Sequence, residues 1–250
     1  MKKVVLIFFL LIIITISSGY SFLKISANGG EDSYFNANLR EDFAKIPLAR
    51  KALGLHYDGD AKGDYLGNNY EEVEIAVSLM ENNYINDKIF IGLSEKIENI
   101  TGKKTNYRHI KIDDFEENST LEGLREKLRK MRYSSNKAVV YLFVVNGLEN
   151  EKEQIGSTLM EDGLVYFQNT TMLNANKEDS ESFDEDFIKY SISTLLHEFG
   201  HQIGLDHNEE KGCLMNPKTE FTNMRNRKVI DDFCDSEKEK ILKIKSLYQQ

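Results

Sequence analysis

The residues best suited to chemistry lie in one stretch, Leu195 to His207, which reads LLHEFGHQIGLDH. His197 and His201 are four apart, a spacing that stacks both imidazoles on one face of a helix. Gly204 follows three residues later. A glycine there can take the left-handed conformation that ends a helix. The chain can then reverse and bring His207 to the same point from another direction. Three neutral imidazoles suit one zinc ion and leave a fourth position for water. Zinc lowers the pKa of that water toward ~7, which makes hydroxide available at neutral pH. Glu198, beside the first histidine, is then the natural general base. The chain has 5 His in 250 residues. Ordinary residue usage would produce this set of spacings about once in 10⁵ such chains, so the motif is not read as chance.

The elements around the motif have to hold it. From about Glu185 to Ile203 the pattern predicts a helix, with Phe187, Ile188, Ile192, Leu195, Leu196, Phe199 and Ile203 as its buried stripe. That stripe turns the histidine face the other way, toward a cleft. Ala138 to Val145 (AVVYLFVV) is a nearly continuous apolar run, expected to be a strand buried on both faces. Gly163 to Gln168 reads as another strand. Upstream, Tyr70 to Asn83 places Val73, Ile75, Ala76, Leu79 and Met80 at helical spacing. Ile89 to Leu93 reads as a short strand. Ser119-Thr120-Leu121-Glu122 opens a charged helix to about Arg132. Ser236-Glu237-Lys238-Glu239 opens a last helix, with Ile241, Leu242, Ile244 and Leu247 as its apolar face.

The full string His197-Glu198-Phe199-Gly200-His201-Gln202-Ile203-Gly204-Leu205-Asp206-His207 resembles the metzincin zinc peptidases. Their pattern, H-E-x-x-H-x-x-G-x-x-H, is followed by a methionine-containing turn, and here Cys213-Leu214-Met215-Asn216-Pro217 follows. The resemblance implies an α/β (α+β) fold: a twisted mixed sheet with an antiparallel edge strand, an active-site helix and a small C-terminal subdomain ending in a helix. It implies that Met215 lies beneath the metal as an apolar floor. It also implies that the strand containing Tyr166 lies at the sheet edge and pairs with extended substrate backbone. Asn216, Pro217 and Lys218 would border a substrate pocket, with Tyr166 a further pocket candidate.

The turn and the later Phe233-Cys234-Asp235-Ser236 resemble the adamalysin pattern, and Met215-Asn216-Pro217 is also similar to the matrixin turn. Pro217 stands where astacins and serralysins carry a tyrosine, which argues against those branches. Archaemetzincins place cysteines directly after the third histidine and in a later C-x-x-C. Cys213 matches one of theirs, but position 208 is Asn and no C-x-x-C follows.

Lys2 and Lys3 precede an apolar run from Val4 to Ile16, broken by Thr15, and the small residues Ser17, Ser18 and Gly19 follow. Residues 1–23 therefore read as a secretory signal peptide or an N-terminal anchor, and residues 24–68 as a spacer or short pro-segment. Residues 69–250 read as the catalytic domain. The expected location is outside the cell, free or anchored at the outer face of the membrane through residues 4–23. Tyr57-Asp58-Gly59-Asp60 is similar to the aspartate stretch by which astacins block their own zinc, but it also reads as a plain Gly-rich turn.

Only two cysteines occur, Cys213 and Cys234. In an exported protein an even pair suggests a disulfide. The rival reading is zinc ligation by Cys213, which would close the site. The acidic run Glu178 to Asp186 suits a helix N-terminus, and its clustered carboxylates also admit a calcium ion. Asn99, Asn118 and Asn169 fit the glycosylation acceptor pattern. A net charge of −9 argues against general nucleic-acid binding.

The expected activity is zinc-dependent endoproteolysis by a monomer acting on peptide or protein substrates, with membrane contact only if the N-terminal segment is retained. The alternatives are a zinc-bearing binding module without catalysis and an aminopeptidase or narrow processing peptidase.

Overall fold

A computed structural model describes residues 15, 17–27, 34–39, 42–43, 46–53, 55, 61–80, 85–111, 123–124, 137–145, 156–159, 163–167, 181–217 and 229–249. The apolar run before residue 17 lies outside them, apart from Thr15. So do the Tyr57–Asp60 stretch, nearly all of the charged helix expected after Ser119, residues 178–180 of the acidic run, Lys218, Asn118 and Asn169. Among the described residues no helix is long and apolar enough to cross a membrane.

The chain divides into two compact units. The first comprises residues 1–57 and 129–136. It carries helices α1 (Tyr34–Asn38) and α2 (Pro47–Leu53), and Ala27, Phe35, Leu53 and Leu55 form its small core.

The second unit comprises residues 58–128 and 137–250. In chain order it holds α3 (Ala61–Leu66), β1 (Glu72–Leu79), α4 (Lys88–Thr101), β2 (Lys104–Ile110), β3 (Ala138–Val145), β4 (Gly156–Leu159), β5 (Gly163–Phe167), α5 (Glu181–Gln202) and α6 (Asp235–Tyr248). The five strands form one mixed sheet in the order β2-β1-β3-β5-β4. The β2–β1, β1–β3 and β3–β5 pairs are parallel, and β4 runs antiparallel to β5 at the edge. Every residue of β3 is buried. This is the expected state of an apolar strand with neighbours on both sides and cover on both faces.

Three expectations change here. The segment read as a helix over 70–83 is strand β1, and the short strand read over 89–93 is the first part of helix α4. In β1, Val73, Ile75 and Val77 are buried while Glu72 and Glu74 are partly exposed, a period of two carried by β-branched residues. In α4, Ile89, Phe90, Leu93 and Ile97 are buried at helical spacing over 14 residues. Five residues were too short a window to separate strand from helix. The third change concerns Gly163–Gln168. β5 lies between β3 and β4, so it is interior, and the edge belongs to β4.

Helix α5 begins at Glu181, so the described acidic residues stand in its first turns rather than ahead of it. Its stripe is as expected, with Phe187, Ile192, Leu195, Leu196, Phe199 and Ile203 buried in the main core; Tyr190 joins them and Ile188 is only partly covered. The Tyr65 ring of α3 lies 5.4 Å from that of Phe199, and its hydroxyl donates to the carbonyl of Val139 at 3.1 Å. In α6 the cap is Cys234, with Glu237 at the third position, rather than Ser236 with Glu239. Ile241 is buried and Ile244 partly so, but Leu242 and Leu247 are exposed and do not extend the apolar face.

Candidate metal centre

Helix α5 presents His197 and His201 one turn apart on the face opposite its apolar stripe. Its end is built for a reversal. Gly204 has φ +95°, in the left-handed region. Its N–H donates to the carbonyl of His201 at 3.0 Å, and the N–H of Leu205 donates to the carbonyl of Gly200 at 2.9 Å. This pair of bonds is the Schellman arrangement, which satisfies the last carbonyls of a helix. Leu205 and Phe199 are both buried in the same cluster beneath it. Any side chain at 204 would be strained at that φ and would also strike the Lys62 side chain.

The reversal brings His207 back over the helix. Its Nε2 lies 3.2 Å from Nε2 of His197 and 3.0 Å from Nε2 of His201. The second ring nitrogens of the two helical histidines are already engaged. Nδ1–H of His197 donates to the carbonyl of Leu214 at 2.8 Å, and Nδ1–H of His201 donates to the carbonyl of Leu205 at 2.9 Å. Those bonds fix the tautomer and leave both Nε2 atoms with bare lone pairs. A proton on His207 could satisfy only one of its two contacts. Burial pushes the pKa of His197 down to about 4, with His201 and His207 adding to the effect against the Leu214 bond. Burial, and then His201, also lowers His207. Neutral imidazoles with converging lone pairs repel one another unless a cation lies between them.

Zinc fits this donor set. Zinc–imidazole bonds of about 2.0–2.1 Å in a tetrahedral arrangement separate nitrogens by about 3.3 Å, close to the distances here. The three histidines are one of two candidate metal groups among the described residues. The other, Glu210 with Cys213 and Cys234, is closed to thiolate ligation because Cys213 and Cys234 form a disulfide. Zinc ligation by Cys213 is thereby set aside. The described part of the acidic run enters neither group, so nothing here supports calcium.

Glu198 is partly exposed on α5 between the two helical histidines. Met215 is fully buried. A Cβ built on Gly200 would stand 2.5 Å from Met215 Sδ and 3.1 Å from the Phe233 ring, so the methionine lies against the helix between the two histidine positions. Asn216 and Pro217 follow at the surface, the first partly exposed and the second exposed. Tyr166 is not a pocket residue. It is fully buried in β5, and its hydroxyl pairs with Ser191 Oγ of α5 at 2.6 Å. Burial drives its phenol pKa up, with the Ser191 bond opposing. It is a core contact between sheet and helix.

Three residues of the site carried no functional sign in the sequence. Gln202, next to His201, is buried and donates to the carbonyl of Gly163 at 2.8 Å, joining the end of α5 to the start of β5. Gly200 is needed for the close approach of Met215. Glu237 is 1% exposed and accepts four hydrogen bonds from the turn around Met215, from Asn208 and from Cys234. Position 208, directly after the third histidine, is Asn rather than the cysteine of the archaemetzincin pattern, and Asn208 Nδ2 donates to Glu237 Oε1 at 2.7 Å.

Comparisons with known proteins bear on this site. No curated protein matches the chain. Among solved structures, an archaemetzincin from Methanopyrus kandleri is similar with a TM-score of 0.49 and 14% identity, covering 70% of this chain and 96% of that one. A zinc-dependent peptidase from Methanocorpusculum labreanum is similar with a TM-score of 0.44 and 12% identity, covering 67% and 99%. The family model described as Peptidase family M54 matches residues 68–243, a span that includes the whole sheet, the three histidines and the methionine turn. This corrects the adamalysin- and matrixin-like reading, which rested on the turn Cys213–Pro217 and on the later Phe233-Cys234-Asp235-Ser236. With a match over most of its length, the chain belongs to Peptidase family M54 and is a zinc metallopeptidase.

Proposed function

We propose that this peptidase is an exported endopeptidase that cleaves within extended peptide segments, with Glu198 as general base. The observation that carries the reading is the convergence of three imidazole lone pairs beside a carboxylate on the same helix. Zinc, when bound, lowers the pKa of a water toward ~7 and polarises the scissile carbonyl. Glu198 takes the proton of the attacking water and returns it to the departing amine. Among the described strands β4 is at the edge of the sheet, where an extended substrate could add as a further strand, and β4 packs against α5. Asn216 and Pro217 would border the pocket beyond the scissile bond. A disulfide and a basic, apolar N-terminus support export. In this reading residues 24–68 are a spacer or pro-segment up to α3 (Ala61–Leu66), which stays with the catalytic unit because Tyr65 is buried against Phe199.

Cleavage-site profiling on a peptide library, with and without chelator, tests it. Internal cuts in peptides with blocked amino termini are expected, and chelator should stop them. Cuts confined to free-amine peptides would show an aminopeptidase, and none at all would show a binding module. Glu198→Ala should retain zinc and lose about 10²–10⁴-fold in turnover. Full activity in that variant would remove Glu198 from the mechanism.

A further inference from the structure

We propose that Glu237 is a positioning residue of the metal centre, acting on His197 through the single peptide plane between Leu214 and Met215. The inference rests on zinc as the resident ion, and not on what the protein cleaves.

The Leu214–Met215 peptide is bonded at both ends. Its carbonyl accepts Nδ1–H of His197 at 2.8 Å, and its N–H donates to Glu237 Oε1 at 2.9 Å. The order is therefore carboxylate, peptide, imidazole and metal position. A carboxylate that accepts from an N–H polarises the peptide and makes its carbonyl a stronger acceptor. The stronger acceptor draws on Nδ1–H and leaves more electron density at Nε2. Many metal-bound histidines are oriented and made more basic by a carboxylate bonded directly to the ring. Here the carboxylate is one peptide removed.

The same carboxylate reaches a second ligand by a shorter chain step. Oε1 also accepts Asn208 Nδ2 at 2.7 Å, and Asn208 follows His207 directly. Oε2 accepts the N–H groups of Leu214 at 3.1 Å and Cys234 at 3.0 Å. Four donors meet about four lone-pair sites. A glutamine at 237 would keep one acceptor oxygen and turn an NH₂ toward backbone donors. A helix cap alone does not need a fully buried charge in this place.

The test uses the full chain with zinc and a competing chromophoric chelator, and no peptide. Glu237→Gln, shown folded by circular dichroism and disulfide-bonded by mass, should bind zinc about 10- to 100-fold more weakly. Asn208→Ala removes a tether but leaves the relay, and should weaken zinc by less than about 10-fold. Unchanged affinity in folded Glu237→Gln overturns the proposal, as does an equal loss in both variants. Should Glu237→Gln not fold, the wild type decides. On zinc addition the Met215 amide proton should move downfield as the chain of bonds tightens, and an unmoved resonance overturns the relay. A protein that binds zinc with this dependence yet cuts no peptide would refute the proposed function and leave the relay standing.

Discussion

Two polar clusters flank the Met215 turn, and they differ in what remains after internal hydrogen bonds are made. At Glu237 the count closes: two carboxylate oxygens accept four donors, all from the chain. At His197, His201 and His207 it does not. Three nitrogens meet at 3.0 and 3.2 Å, and the outer nitrogens of the two helical rings are already donating to carbonyls. A cluster with balanced donors and acceptors is scaffold. A cluster of acceptors alone calls for a cation. Two of the three imidazoles are half-buried and the third is exposed, yet their nitrogens face one another rather than water, so the imbalance itself points to a cation between them.

The largest effect should come from attacking the unbalanced cluster. His201→Ala should reduce zinc binding and peptidase activity to background, while the far-ultraviolet spectrum stays folded. Zinc retained at wild-type affinity would break the comparison. Removing the ion should also be visible in stability. With free zinc at 100 times its dissociation constant, binding contributes about 2.7 kcal/mol. Chelator should therefore lower Tm by roughly 5–10 °C for a chain of this size, measured by calorimetry.

The balanced side should respond in stability before chemistry. Cys213→Ser with Cys234→Ser opens the link across the turn, whose cysteines are 21 residues apart. The expected loss is about 3 kcal/mol, read from urea midpoints, with zinc still bound because Glu237 continues to hold the turn. Loss of zinc in a folded double variant would show that the disulfide, not the carboxylate, positions the ligands.

Lys103 sharpens the comparison from the opposite sign, as a buried donor. Its ammonium donates to the Asp64 carbonyl at 2.7 Å and the residue is 8% exposed. Burial lowers its pKa to about 8, against the Asp64 charge, with Lys245 adding. The folded value lies below the unfolded one, so the penalty is full below pH 8 and relieved as pH rises toward 10.5. Between pH 8 and 10 the wild type should gain on the order of 1–2 kcal/mol relative to Lys103→Met, read from paired urea titrations. A constant difference across that window would refute the shift. Gly200→Ala should give the smallest change, a net loss of about 1 kcal/mol. Crowding of Met215 outweighs the gain in helix propensity, and a rise in Tm would show that Met215 gives way freely.

Much of the site was legible because it is local. A spacing of four in a helix puts two histidines on one face wherever that helix lies, and a left-handed glycine three residues on permits one reversal. The stripe from Phe187 to Ile203 and the buried strand from Ala138 to Val145 were legible for the same reason. The strand at 72–79 reads as a helix because Val73, Ala76 and Met80 also fit a helical spacing, and the helix at 88–101 reads as a strand when only its five residues 89–93 are weighed. Val73, Ile75 and Val77 carry the period-two signal, and Ile97 completes the helical one beyond Leu93. Tyr166 was misplaced because no periodicity tells an inner strand from an edge strand; that is a property of what lies beside it.

The chain's own order determined the ligand set, the turn that gathers it and the helix that carries it, since these depend on contacts within ten residues. Only the tertiary structure decided which carbonyls orient the rings, which strand is the open edge, and that a glutamate 40 residues beyond His197 stands behind that histidine. Those facts depend on partners brought together from far apart, and hydrogen-bond geometry at that range leaves no spacing rule in the sequence.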